Sequence, residues 1–223
     1  MSISYANFLT QVRSYTEVDS TVLTDALLDQ FIRNIELDIA GKVDYDDLRK
    51  YATSTTVANQ RFITLPEDLV YLRSTQISTT SDATTTRDFL EKRDTSFISE
   101  FNPTDATGVP KYFANWDETS IALAPVPDVS TYVIQVNYVI DPPHFDGDTT
   151  VTTYLSTYQE SMLLHGVLTE CFSYLKGPVD MYKLYKEKYN EELQAFALQQ
   201  MGQRRRGQYD DGVPRIPIAS PSP

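Results

Sequence analysis

The sequence predicts an α+β fold: a helical bundle built from N-terminal helices and a C-terminal helical hairpin, with an inserted antiparallel β domain. Three observations predict it. Apolar residues recur at three- and four-residue steps before residue 50 and again after residue 153. Between those regions the period changes to two, and prolines at 103, 110, 125, 127, 142 and 143 punctuate short segments. From Gly202 onward no period survives, and prolines at 214, 217, 221 and 223 favour extended chain. The expected divisions are 1–50 for N-terminal helices, 51–153 for a mainly β domain, 154–201 for the helical hairpin and 202–223 for an extended arm.

Ser4 can cap a short first helix that carries Phe8, Leu9 and Val12. A stronger helix starts near Ser20–Thr24, where hydroxyl side chains can satisfy free backbone N–H groups. Its stripe is Leu27, Leu28, Phe31, Ile32, Ile35 and Ile39, and Gly41 is the expected stop. Asp44, Asp46 and Asp47 lack the glycine and terminal glutamate of a calcium loop and read as a solvated turn.

In the β region, Tyr51–Val57 and Phe62–Leu65 flank Asn59 and suggest a hairpin. Val70–Thr79 reads as a strand, Ser78 to Thr86 as a loop or hairpin tip, and Thr95–Phe101 as a helix. Tyr112–Trp116 and Ile121–Ala124 flank Asp117-Glu118-Thr119, a turn-forming group. The clearest strand places Tyr132, Ile134, Val136, Tyr138 and Ile140 on one face and Val133, Gln135, Asn137 and Val139 on the other.

The C-terminal hairpin begins with a helix whose stripe is Leu164, Leu168, Cys171, Phe172 and Leu175. Tyr158, Met162, Leu163 and Val167 extend the apolar surface around it, as in a helix buried between neighbours. Gly177-Pro178 closes this helix and starts the next. The second helix carries Tyr182, Tyr185, Tyr189, Leu193, Phe196 and Gln200 in a heptad-like seam. Two uses fit that seam: packing against the preceding helix, or contact with a neighbouring subunit, which tyrosine's apolar ring and polar tip suit. The candidate contact residues are therefore Tyr182, Tyr185, Tyr189 and Phe196. Arg204, Arg205, Arg206, Tyr209, Ile216 and Ile218 join them from the tail, which resembles an arm that orders on a partner; plain end disorder is the other reading.

The chain has 223 residues and a formal net charge of −12. Residues 51–150 carry 6 basic and 14 acidic side chains, whereas residues 202–223 carry 4 and 2. Such a surface repels free nucleic acid, because phosphate binding needs clustered Lys and Arg. The acids serve solubility, or they form a surface that must face DNA without holding it. No apolar run is long enough for a membrane span, and the first residues show no signal peptide, so no membrane partner is expected. Cys171 is the single cysteine and reads as a small core residue. No Walker loop, Rossmann glycine pattern or nucleophile elbow is present. His165 lies on an apolar helix, and His144 sits in an Asp- and Gly-rich turn that could hold a cation but reads better as a turn. No catalytic residue, cofactor or metal is expected.

The order of segments is itself informative. Leu65-Pro66-Glu67-Asp68-Leu69 enters a strand, Gly108-Val109-Pro110-Lys111-Tyr112-Phe113-Ala114 enters a hairpin, and Ile121-Ala122-Leu123-Ala124-Pro125-Val126-Pro127-Asp128 follows. A Tyr–Ile–Val–Tyr strand then ends in Asp141-Pro142-Pro143, before a helical hairpin with Glu160 and Leu163-Leu164 near its start. Across roughly residues 1–200 this order resembles the adaptor, or head–tail connector, proteins of tailed phages, especially the short-tailed kind. The resemblance implies a non-enzymatic ring protein, typically a dodecamer, made in the host cytoplasm and residing at the head–tail interface of the virion. Its implied partners are the portal protein, the tail nozzle protein and often tail fibres. Double-stranded DNA would pass through its lumen without specific binding. Three other classes remain open on the residues: another virion module such as a tail-tube or tail-completion protein, an enzyme with an unrecognised site, and a nucleic-acid-binding module using the arginine run.

Overall fold

The computed structural model describes residues 3–79, 87–147 and 152–207, with side chains through Met201. These residues form six α-helices and two four-stranded sheets, an α+β fold. The chain divides into two compact units, one of residues 1–46 with 142–223 and one of Asp47–Asp141.

In the helical unit, α1 spans Tyr5–Thr16 and α2 spans Asp25–Lys42. Ser4 caps α1 by accepting from the Asn7 N–H, and Thr24 caps α2 by accepting from the Leu27 N–H. Gly41 does not stop α2; it lies inside the last turn, and the helix ends at Val43, whose N–H donates to Ile39. The unit resumes at residue 142, earlier than the expected return at 154. The reason is a set of long-range contacts: Arg33 donates to the Pro142 carbonyl, and the next residues are held against α2 by Glu36.

Three further helices follow: α4 (Tyr154–Tyr158), α5 (Glu160–Tyr174) and α6 (Val179–Gly207). Helix α5 is the central one, touched by α1, α2, α4 and α6. Its all-round apolar character, legible in the sequence, has this cause. Gly166 on α5 is a packing residue: a Cβ there would lie 2.7 Å from Ile35 Cγ2 on α2.

The turn after α5 has an unexpected residue in the strained position. Lys176, not Gly177, takes the left-handed conformation, with φ 52°. The Gly177 N–H donates to the Phe172 carbonyl and the Lys176 N–H to the Ser173 carbonyl, the paired bonds of a Schellman motif. Gly177 is required for space instead, since a Cβ would lie 2.8 Å from Phe172 Cδ1. Lys176→Gly is expected to stabilise the chain by about 0.5–1 kcal/mol, relieving the left-handed strain less the entropy glycine loses on folding. A thermal melt checks this; an unchanged or lowered midpoint would count against it.

In the β unit, the first sheet has the order β1-β8-β3-β4, from β1 (Arg49–Thr55), β8 (Val133–Ile140), β3 (Leu69–Ser78) and β4 (Arg87–Phe89). The second has the order β2-β7-β6-β5, from β2 (Phe62–Thr64), β7 (Ser120–Ala124), β6 (Tyr112–Asn115) and β5 (Glu91–Lys92). The expected β6–β7 hairpin is present, and Asp117 Oδ1 accepts from the Thr119 N–H in its turn. The expected hairpin around Asn59 is absent. Asn59 does turn the chain, with φ 62°, but β1 pairs with β8 and β2 with β7, so the turn carries the chain from one sheet to the other. Strand β8 pairs with β1 along one edge and with β3 along the other, and Ile134, Val136, Tyr138 and Ile140 are buried. Helix α3 (Thr95–Phe101) packs on β6 and β7 through Ile98, Ala114, Ala122 and Ala124. Most of the Ser/Thr tract, residues 80–86, lies outside the described residues.

Candidate functional site

The predicted contact seam on α6 is occupied by the chain itself. The Tyr185 ring stacks on Phe172 with centroids 5.4 Å apart and lies 5.9 Å from the His165 ring. Tyr189 is buried and donates its hydroxyl to Asp38 Oδ2 at 2.7 Å. Burial, then the hydrogen bond and charge of Asp38, push its phenol far above the ordinary tyrosine range. Phe196 lies between Tyr45 and Tyr154, with ring centroids 5.7 Å and 6.2 Å away. Tyr182 is half-buried, and its hydroxyl accepts from Lys186 Nζ. Of the two uses the spacing left open, packing within the chain accounts for Tyr185, Tyr189 and Phe196.

Arg204, Arg205 and Arg206 fall within α6, which continues through Gly207, beyond the end expected at residue 201. Tyr209, Ile216 and Ile218 lie outside the described residues.

The apolar side chains left uncovered are different ones. On α6, Leu184 and Leu198 are exposed and stand fourteen residues apart, two heptads, on the side away from the buried seam. In the β unit, Tyr51 and Phe89 are each 70% exposed. They share the outward face of the first sheet with a polar chain: Arg87 Nη1 donates to Gln135 at 2.7 Å, Gln135 to Asn137 at 3.1 Å, and Asn137 to Ser74 at 3.0 Å. The alternation of β8 placed Gln135 and Asn137 together on one face. The exposed tyrosine and phenylalanine beside them carried no separate signal.

A second set of titratable groups forms a clamp in the helical unit. Glu36 on α2 is fully buried. Its carboxylate accepts from the Phe145 N–H at 2.9 Å and faces His144 Nδ1 at 2.7 Å. His144 Nε2 faces Asp29 Oδ1 at 3.2 Å, and Asp29 also accepts from the Tyr5 hydroxyl at 3.1 Å. Both imidazole nitrogens thus face carboxylate oxygens, an arrangement satisfied when both carry protons. Burial raises the Glu36 carboxyl above its ordinary value, against the hydrogen bond and charge of His144. Burial alone would lower His144, but the bonds and charges of Glu36 and Asp29 outweigh it and raise it above 6.5.

A raised histidine contributes stability that is fully present below its unfolded value and lost as pH rises through its folded value. Stability to urea is therefore expected to fall from pH 6 toward alkaline pH, and His144→Asn should remove that fall. A wild-type profile that rises across this window would refute the clamp.

Each polar group of this clamp is engaged by another. The Cys171 thiol is buried and pushed up to about 12, by burial and then by the Glu170 charge. Among the described residues no cluster of three or more His, Cys, Asp or Glu is arranged to hold a metal ion, and no helix is long and apolar enough to cross a membrane.

No curated protein matches the chain. The family model for SU10 adaptor protein matches residues 3–215, a span that takes in both units. With the match running over nearly the whole sequence, and with the helical unit and inserted β unit that the segment order predicted, the chain belongs to the SU10 adaptor protein family.

Proposed function

We propose that the protein is a non-enzymatic structural subunit of a tailed-phage virion, forming a ring at the head–tail interface. In this reading the ring, a dodecamer, docks beneath the portal protein, extends the DNA channel and offers a surface to the tail nozzle protein and to tail fibres. The observation that carries it is the adaptor-family match over residues 3–215. The exposed Leu184 and Leu198 on α6, and the exposed Tyr51 and Phe89 of the β unit, are the surfaces available to such partners. The tail residues Arg204, Arg205, Arg206, Tyr209, Ile216 and Ile218 add a basic and apolar segment to an acidic chain.

Light scattering of the chain with and without portal protein tests this reading. A defined ring on the portal is expected. A chain that stays monomeric beside assembled portal would overturn it, and tubes formed without portal would favour a tail-tube protein. The net charge of −12 also implies a channel wall that does not grip the duplex. No duplex binding is expected at physiological salt; tight, salt-sensitive binding would count against the channel.

A further inference from the structure

The β unit has an open groove between the edges of its two sheets. It is lined by Ala52 and Ser54 of β1, Ile63 of β2, Leu65 just beyond it, and Ile134 and Val136 of β8. Its volume is about 240 Å³. That is below the roughly 300–1,000 Å³ of small-molecule sites, and the lining offers no charged group. The groove suits a few apolar side chains.

Both rims are strand edges with backbone groups directed outward. The Thr56 N–H donates to the Tyr132 carbonyl, which sets the phase of the β1–β8 ladder. Ala52 and Ser54 therefore spend their backbone groups on β8, while Tyr51, Thr53 and Thr55 direct theirs to the open edge. On the other rim, Arg61 accepts from Leu123 and Leu65 donates to Thr119, so Phe62 and Thr64 face outward. An extended segment lying here would gain main-chain hydrogen bonds from the β1 edge and bury alternate side chains on the apolar floor.

The chain carries one tail segment with that pattern. In Val213-Pro214-Arg215-Ile216-Pro217-Ile218, Ile216 and Ile218 fall on one side of an extended chain. In an added strand their two N–H groups would point to one edge, and Pro217 has none for the other. Such a strand can zip onto β1 and cannot template a further one. Charge agrees: Asp47–Asp141 carries 8 basic and 13 acidic side chains, whereas residues 202–223 carry 4 and 2.

We propose that residues 213–218 of a neighbouring copy dock in this groove as a strand added parallel to β1, the direction that sets Ile216 and Ile218 opposite Ala52 and Ser54 on the groove side. The inference rests on the ring reading above. A groove on one subunit filled by an arm from the next is a head-to-tail contact, the kind that closes rings larger than a dimer.

The test uses the full chain with a photo-crosslinking phenylalanine analogue in place of Thr53, mixed with an isotope-labelled copy and assembled on portal protein. Adducts between Thr53 of one isotopic form and residues 207–223 of the other are expected. They should be lost in Ile216→Asp/Ile218→Asp, with the melting temperature unchanged. Exchange of the Tyr51, Thr53 and Thr55 amides should quicken in that double variant. Adducts confined to one isotopic form, adducts elsewhere, or none would each overturn the proposal. Light scattering on the same sample separates the two ideas: a ring without groove adducts removes the docking site alone, and absence of any ring removes the ring reading beneath it.

Discussion

Glu36→Ala is expected to lower the unfolding free energy by about 3–5 kcal/mol, the range for removing one partner of a buried charged pair. The carboxylate is fully buried on α2 and takes two donors, the Phe145 N–H and His144. Its removal leaves the amide unsatisfied and strips the imidazole of its nearer counter-charge, and a methyl group replaces neither. Glu36→Gln keeps an acceptor for the amide but loses the charge, so its loss should be smaller. Urea unfolding at pH 6, followed by helix circular dichroism, measures both. A loss under about 1 kcal/mol for the alanine variant, ordinary for any substitution, would show that the clamp does not hold the chain as it returns from β8 to the helical unit.

Phe196→Ala should cost about 3–5 kcal/mol in the isolated chain. The ring is 1% exposed and sits against Tyr45 and Tyr154, which come from before and after the β unit. Truncation opens a cavity whose walls belong to three separated stretches of sequence, so local collapse cannot refill it. The contrast is Leu198, two residues along the same helix and exposed. Leu198→Ala should change the stability of the lone chain by no more than about 0.5 kcal/mol, with any effect appearing in assembly. If Phe196→Ala left the melt unchanged and impaired assembly alone, the aromatic seam would belong to a neighbouring subunit after all.

Much of the architecture was legible because it is periodic. The cap at Ser4, the start of α2 at the end of Ser20–Thr24, helix α3, the β6–β7 hairpin, the two faces of β8 and the apolar helix α5 each follow from spacing within a few residues. The segment order also pointed to the adaptor family that the match over residues 3–215 shows.

Other features depend on residues far apart in the chain, and no local pattern encodes them. The partners of β1 and β2 were decided by competition for β8 and β7, so Asn59 turned the chain between sheets instead of within one. Glu36 carries no local signal, because its partners His144 and Phe145 lie more than a hundred residues away. Gly166 carries no spacing signal of its own, and the approach of Ile35 makes it a necessity. The sequence by itself determined most of the helices and the longer strands, and the apolar face of several, because backbone sterics and side-chain period act over a few residues; it did not show β4, β5, the break between α4 and α5, or the run of α6 beyond residue 201. The tertiary structure decided what covers each face: the tyrosine seam of α6 went to the chain's own core, and Leu184 and Leu198 were left outside. Burial is a property of packed pairs, and a one-dimensional pattern names one member of each pair.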